Sequence, residues 1–283
     1  MKRLLLAAAF AALMLVPASS ASAFTGEYAR FNTCPISNPA VLSCLSAESS
    51  GGVFTMGKKT VPLVNEVRLR GGLVETENPS VATIAAPTDG VIVSKAAQPV
   101  PGGLLGVTAP LWWPSILRDL FNETINNGFT GVTATVELAG PPTAIKVSLL
   151  NYIIRSGAAF SFPVKVKLSN PFLGSNCYIG SNSNPVKLNL TTGTTTPPPP
   201  NTPISGTPGE ASSFEEKIST FKKNKLVDNS FAAPGANGCG GLFSFLVDPF
   251  VESIVGVPSA AGTNTATLEG ATYLMSAQQL REM

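Results

Sequence analysis

Ser219-Thr220-Phe221-Lys222 is the string in this sequence that carries the most chemistry. On a helix, a lysine three residues after a serine shares its face. An amine placed there can take the hydroxyl proton and leave a nucleophile. Carboxylates offer a second chemistry. Glu75 and Glu77 would share one face of a strand, and two acids about 5–10 Å apart in a cleft can hydrolyse a glycosidic bond. Trp112 and Trp113, with Tyr152 and Tyr178 elsewhere, present flat apolar faces on which sugar rings can stack. Aromatic residues at such places more often serve as core or anchor residues.

The surroundings weaken each of these readings. Ser219 and Lys222 resemble the S-x-x-K signature of serine β-lactamases and penicillin-binding proteins, which also carry S-D-N and K-T-G. Here Lys58-Lys59-Thr60-Val61 lacks the glycine, and Asp228-Asn229-Ser230 is in the wrong order. Glu75 and Glu77 read better as a solvent-facing strand edge. The 283 residues include no histidine, which excludes Ser-His-Asp and Cys-His catalysis and His-ligated zinc or haem within this chain. No glycine-rich phosphate loop follows a strand, and no close set of metal ligands occurs. The sequence therefore assigns no catalytic, cofactor-binding or metal-binding residue, and no cofactor. Asn122-Glu123-Thr124 and Asn189-Leu190-Thr191 match the N-glycosylation sequon, which matters only in a host that glycosylates exported proteins.

Export is the clearest message. Lys2 and Arg3 precede an apolar run over residues 4–16, then Pro17 and the small-residue site Ala21-Ser22-Ala23. This is the order of a secretory signal peptide, residues 1–23, cleaved between Ala23 and Phe24. The run is too short for a membrane span, which needs about 20 apolar residues, and no later stretch offers one. The expected product is secreted, without stable membrane insertion after cleavage. Removing Lys2 and Arg3 from 19 basic residues leaves 17 against 17 acidic ones. Such a balance gives no reason to expect a nucleic-acid partner. Cys34, Cys44, Cys177 and Cys239 are an even set suited to an oxidising compartment. Three pairings exist, and Cys34–Cys44 with Cys177–Cys239 is favoured because the first two flank a short loop. Their spacing does not suit zinc.

The elements that must position these residues read mainly as strands. Residues 160–168, 132–138, 145–149 and 186–190 alternate apolar and polar side chains, the period of a half-buried strand. Residues 66–70, 91–94 and 265–269 are shorter candidates. Pro- and Gly-containing turns separate these runs, which points to an antiparallel β-sandwich, with a barrel-like closure of the same pattern as the alternative. One or two short helices interrupt it. Residues 116–124 carry a helical apolar stripe after Trp112-Trp113-Pro114, and Ser213 with Glu216 could cap a helix running to Lys223. Residues 242–255 are apolar nearly all round, interrupted by Asp248-Pro249, the composition of a buried helix or a pair of turns. Residues 191–210, rich in Thr and Pro, read as a long surface loop of a single disulfide-bonded domain spanning 24–283, since the favoured Cys177–Cys239 link would enclose them.

Residues 170–180 (NPFLGSNCYIG) and 257–262 (VPSAAG), with Leu226-Val227-Asp228-Asn229-Ser230 and Asn237-Gly238-Cys239-Gly240, resemble stretches of exported actinobacterial proteins that have no assigned function. The resemblance covers mainly the last 120 or so residues and implies a secreted Gram-positive product, with no catalytic residue carried over. Together these readings lead to a secreted binding or structural protein of the cell surface, cell wall or extracellular space. An extracellular hydrolase using a carboxylate pair or a Ser-Lys dyad is the alternative, and a pore-type barrel the third.

Overall fold

The computed structural model of the chain describes residues 23–126, 130–212 and 217–283, with the side chains of residues 125 and 126 left aside. The signal-peptide reading lies outside the described residues, except for Ala23 and Phe24. The described chain is mainly β. Its strands are β1 (Ser43–Met56), β2 (Lys59–Pro62), β3 (Val67–Glu75), β4 (Ala82–Ala85), β5 (Gln98–Pro99), β6 (Thr133–Leu138) and β7 (Lys146–Val147). They continue as β8 (Phe160–Ser169), β9 (Tyr178–Ile179), β10 (Val186–Leu190), β11 (Glu210–Ala211), β12 (Ile218–Asp228), β13 (Ala236–Asn237) and β14 (Thr265–Ser276). Four short helices accompany them: α1 (Ser115–Asn126), α2 (Leu149–Ile154), α3 (Ser244–Val255) and α4 (Ala277–Arg281).

The strands form one antiparallel, sandwich-like sheet in the order β11-β12-β14-β1-β3-β4-β7-β8-β6-β5. Its two halves join through the short β4–β7 ladder, Ala82 opposite Val147 and Thr83 opposite Lys146. On the other edge of β8, β10 leads back towards β12. There Thr191 and Val227 exchange both backbone hydrogen bonds at 2.9 Å, which closes the circuit in a barrel-like way. Asp228 reinforces this seam by accepting from the Asn189 backbone N–H at 2.7 Å and from that of Ser230 at 2.8 Å.

Burial pushes the Asp228 carboxyl above its ordinary range, more than those two hydrogen bonds pull it down. The folded protein therefore holds this proton more tightly than the unfolded chain. The resulting stability is fully present below the unfolded pKa, about 3.9, and is lost as pH rises through the folded value. In urea titrations, the unfolding free energy of the wild type relative to Asp228→Asn should fall as pH rises from about 4. A flat or rising difference would contradict the assignment.

β8 has the alternation its sequence predicts: Phe160, Phe162, Val164, Val166 and Leu168 are buried, and the residues between are only partly so. The predicted strand over 145–149 is cut to two residues, because Ser148 caps α2 by accepting from the Asn151 backbone N–H. Residues 91–94 make only an isolated bridge, Leu69 with Val93. Two expectations are corrected. The helix expected up to Lys223 is instead strand β12, hydrogen-bonded along β14, while the proposed cap at 213–216 lies outside the described residues. The apolar segment 242–255 does form a helix, yet Leu242, Phe243, Phe245 and Leu246 are exposed, and only Val251 of α3 is fully buried. The Thr/Pro-rich loop also departs from a free excursion at its start. Thr191, Thr192 and Thr195 are buried, and the Thr192 hydroxyl donates to the Tyr152 carbonyl at 2.6 Å.

One apolar cluster runs through the interior from Leu45 to Leu274 and includes the Cys177–Cys239 disulfide. A second, on the outer face of β1 and β14, gathers Phe31, Val41, Met275 and Leu280 around the Cys34–Cys44 disulfide.

Candidate functional site: an apolar cavity between the sheet halves

The residues singled out for chemistry do not converge. Ser219 and Lys222 lie on β12, where residues three apart project to opposite faces rather than sharing one. Glu75 ends β3 and Glu77 follows it, both exposed. Tyr152 is an interior anchor: its hydroxyl donates to the Pro208 carbonyl at 3.0 Å and accepts from Asn224 Nδ2 at 2.9 Å. Burial raises its pKa. Tyr178 lies elsewhere, with its hydroxyl donating to Glu137 at 3.3 Å and Lys165 over its ring. Trp112 and Trp113 pack edge to face beside α1, and Trp113 meets Phe121 in the same way. Of the sequon asparagines, Asn122 accepts from the Ala109 backbone N–H, and Asn189 is exposed on β10.

What the strands do bring together is apolar. Because side chains alternate along each strand, one residue in two points inward. Ala47 and Phe54 of β1, Ala134 of β6, Phe162 of β8, Leu188 of β10 and Leu268 of β14 all face a common space. The interior cavity measures about 140 Å³. That matches the roughly 150 Å³ apolar cavity in another protein that stays dry and takes up benzene. Single-residue alternation in the sequence revealed which side chains point inward. It did not reveal that they fail to fill the space.

Only Ser49, Lys59 and Gln98 break the apolar lining. Gln98 is internally satisfied. Its Oε1 accepts from the Val64 and Asn65 backbone N–H groups, each at 2.9 Å, and its Nε2 donates to the Asn65 carbonyl at 2.7 Å. It thereby clamps the β2–β3 connection. Lys59 stands where the cavity adjoins a smaller void of about 30 Å³ lined by Leu104, Val251 and Ile254, under α3 and the 3-10 helix Gly103–Leu105. Burial lowers the Lys59 pKa. The structural elements at this end carry apolar side chains outward as well. Leu105, Leu111, Trp112 and Ile116 before and on α1, and Phe245 and Phe250 on α3, are exposed.

Among the described residues, no three of His, Cys, Asp and Glu gather as a metal-binding set, and no helix is long and apolar enough to cross a membrane. No protein-family model, no curated protein and no solved structure matches the chain.

Proposed function

We propose that this is a secreted binding protein of the cell surface or extracellular space, whose ligand inserts an apolar segment into the interior cavity. The observation that carries this reading is the cavity itself. Natural interiors pack to the density of organic crystals, and a void of this size forfeits contacts that a tighter core would make. A chain that keeps such a space, lined by carbon from ten strands and one helix, has room for a small apolar group. The signal-like residues 1–23 and the two disulfides support an extracellular destination. The resemblance of the C-terminal part to exported actinobacterial proteins favours the same destination, at or near the cell wall.

Benzene and 1-octanol are suitable probes: benzene is of the size such a cavity admits, and octanol offers a flexible apolar chain with a polar end that can stay at the Lys59 side. Titration calorimetry should detect saturable binding of both, and each should compete with the other. Octanol at about 100 times its Kd should stabilise the protein by about 2.7 kcal/mol, read as a raised unfolding midpoint. Failure of both probes to bind would refute the reading.

A further inference from the structure

Lys59 is the cation that faces the cavity, and nothing in the fold accounts for it. It shares the inward face of β2 with Val61, two residues on, while Thr60 between them points away and bonds Thr55 across the hairpin at 3.0 Å. Its neighbour Lys58 is exposed, and the Lys58 ammonium donates to the Ser253 carbonyl at 3.3 Å. The Lys59 ammonium has no such acceptor and no carboxylate within ion-pair distance among the described residues. An ammonium drawn partly out of water without a partner is an unfavourable arrangement, and a bound anion would relieve it.

The surroundings hold the turn that leads into Lys59. The β1–β2 turn is pinned to the end of α3: the Lys58 backbone N–H donates to the Val255 carbonyl at 2.7 Å, and that of Gly57 to Asn264 Oδ1 at 2.9 Å. Space beside the ammonium is kept by Gly106, which has φ +68°. A Cβ there would lie 3.1 Å from Lys59 Nζ and 3.0 Å from Ile254. An unpaired cation, an adjoining gap and an apolar cavity behind it together describe a site for an amphiphile.

We propose that the ligand of the cavity is a carboxylate with a short apolar tail, its tail inside and its headgroup paired with Lys59. This rests on the binding function proposed above and names the class of its ligand. One ammonium carries one charge and three donors, which suits a singly charged head better than a phosphate dianion. A charge-assisted hydrogen bond to Lys59 should add to the affinity that the tail supplies.

The test compares octanoate with octanol at neutral pH by calorimetry on the intact protein. The wild type should prefer octanoate by about tenfold or more, the effect of one hydrogen bond to a charged group. Lys59→Met, which keeps the apolar stem, should abolish that preference, and Lys59→Arg should retain it. Lys58→Met, on the outward side of the hairpin, should leave it intact. Should Lys59→Met fail to fold, Lys59→Gln serves the same purpose. If octanol binds but octanoate binds no better, the Lys59 assignment is wrong and the cavity reading stands. The assignment is equally wrong if the preference survives in Lys59→Met. If neither compound binds, the Lys59 assignment falls, and the cavity reading falls with it if benzene also fails to bind.

Discussion

Replacing Cys177 and Cys239 together with alanine is expected to lower the unfolding free energy by about 4 kcal/mol, a large share of the roughly 5–15 kcal/mol that holds a domain folded. The two cysteines are 62 residues apart in sequence, and cross-linking removes the freedom of that loop from the unfolded chain. The loop contains β10, β11, β12 and the Thr/Pro-rich segment, so these elements are the ones that gain most. Removing Cys34 and Cys44, which are 10 residues apart, should cost less, about 3 kcal/mol on the same reasoning. The native geometry around Cys239 has other support, because Asp248 accepts from the Gly238 and Cys239 backbone N–H groups at 3.2 and 2.7 Å. The loss should therefore fall mainly on the unfolded-state side and leave the folded signal unchanged. Urea unfolding of both double variants checks this. An equal loss in the two, or a loss below about 1 kcal/mol for the larger loop, would contradict the chain-entropy account.

The strands that the sequence makes plain are those with an unbroken period of two. β8, β6 and β10 are of this kind; in β8 and β10 the buried residues are the apolar ones, and in β6 Ala134 and Val136 line the cavity while Thr135 is buried on the other face. β1 and β12 are longer and flank β14, yet their pattern hides them. In β1 the inward residues are Ala47 and Ser49, then Phe54 and Met56, a switch from odd to even numbers. The cause is a bulge between Ser49 and Gly51 opposite Gly270 of β14, where one extra residue reverses the parity. Gly52, with φ +115°, completes the bend, and a Cβ there would run into the Thr267 carbonyl. The same Gly270 faces a second bulge in β12 between Lys222 and Asn224, where Lys223 takes φ +56°. That reversal moves the inward side from Phe221 to Leu226, an odd-to-even switch that breaks the alternation in residues 218–228.

The cavity was hidden for a different reason. Alternation says which side chains turn inward, and composition says that they are apolar. Neither contains the distance between facing layers, which depends on how β4–β7 and the Thr191–Val227 bridge set the two halves. The exposed faces of α1 and α3 escaped for a related reason. A helical apolar stripe such as Ile116, Leu117 and Leu120 normally turns inward. Here these side chains face outward.

Ala134→Leu is expected to do two opposite things: raise stability and weaken ligand binding. Ala134 lies on β6 between Gln98 of β5 and Leu168 of β8 and faces the cavity. An empty space of 140 Å³ costs about 3 kcal/mol at roughly 24 cal/mol per Å³, relative to a filled core. Three added carbons should recover about 1–2 kcal/mol of that, after some strain. The same carbons occupy the room a ligand needs, so octanol affinity should fall by about tenfold or more, the scale of a few lost methylene contacts. Leu268→Phe on β14 approaches the same space from the facing side and should act in the same direction. A space closed to small molecules would predict stabilisation with no octanol binding to lose, and a cavity that is already full would predict destabilisation in both variants. An empty cavity open to an apolar ligand predicts gain in one measurement and loss in the other, which urea unfolding and octanol calorimetry on the same preparations would show.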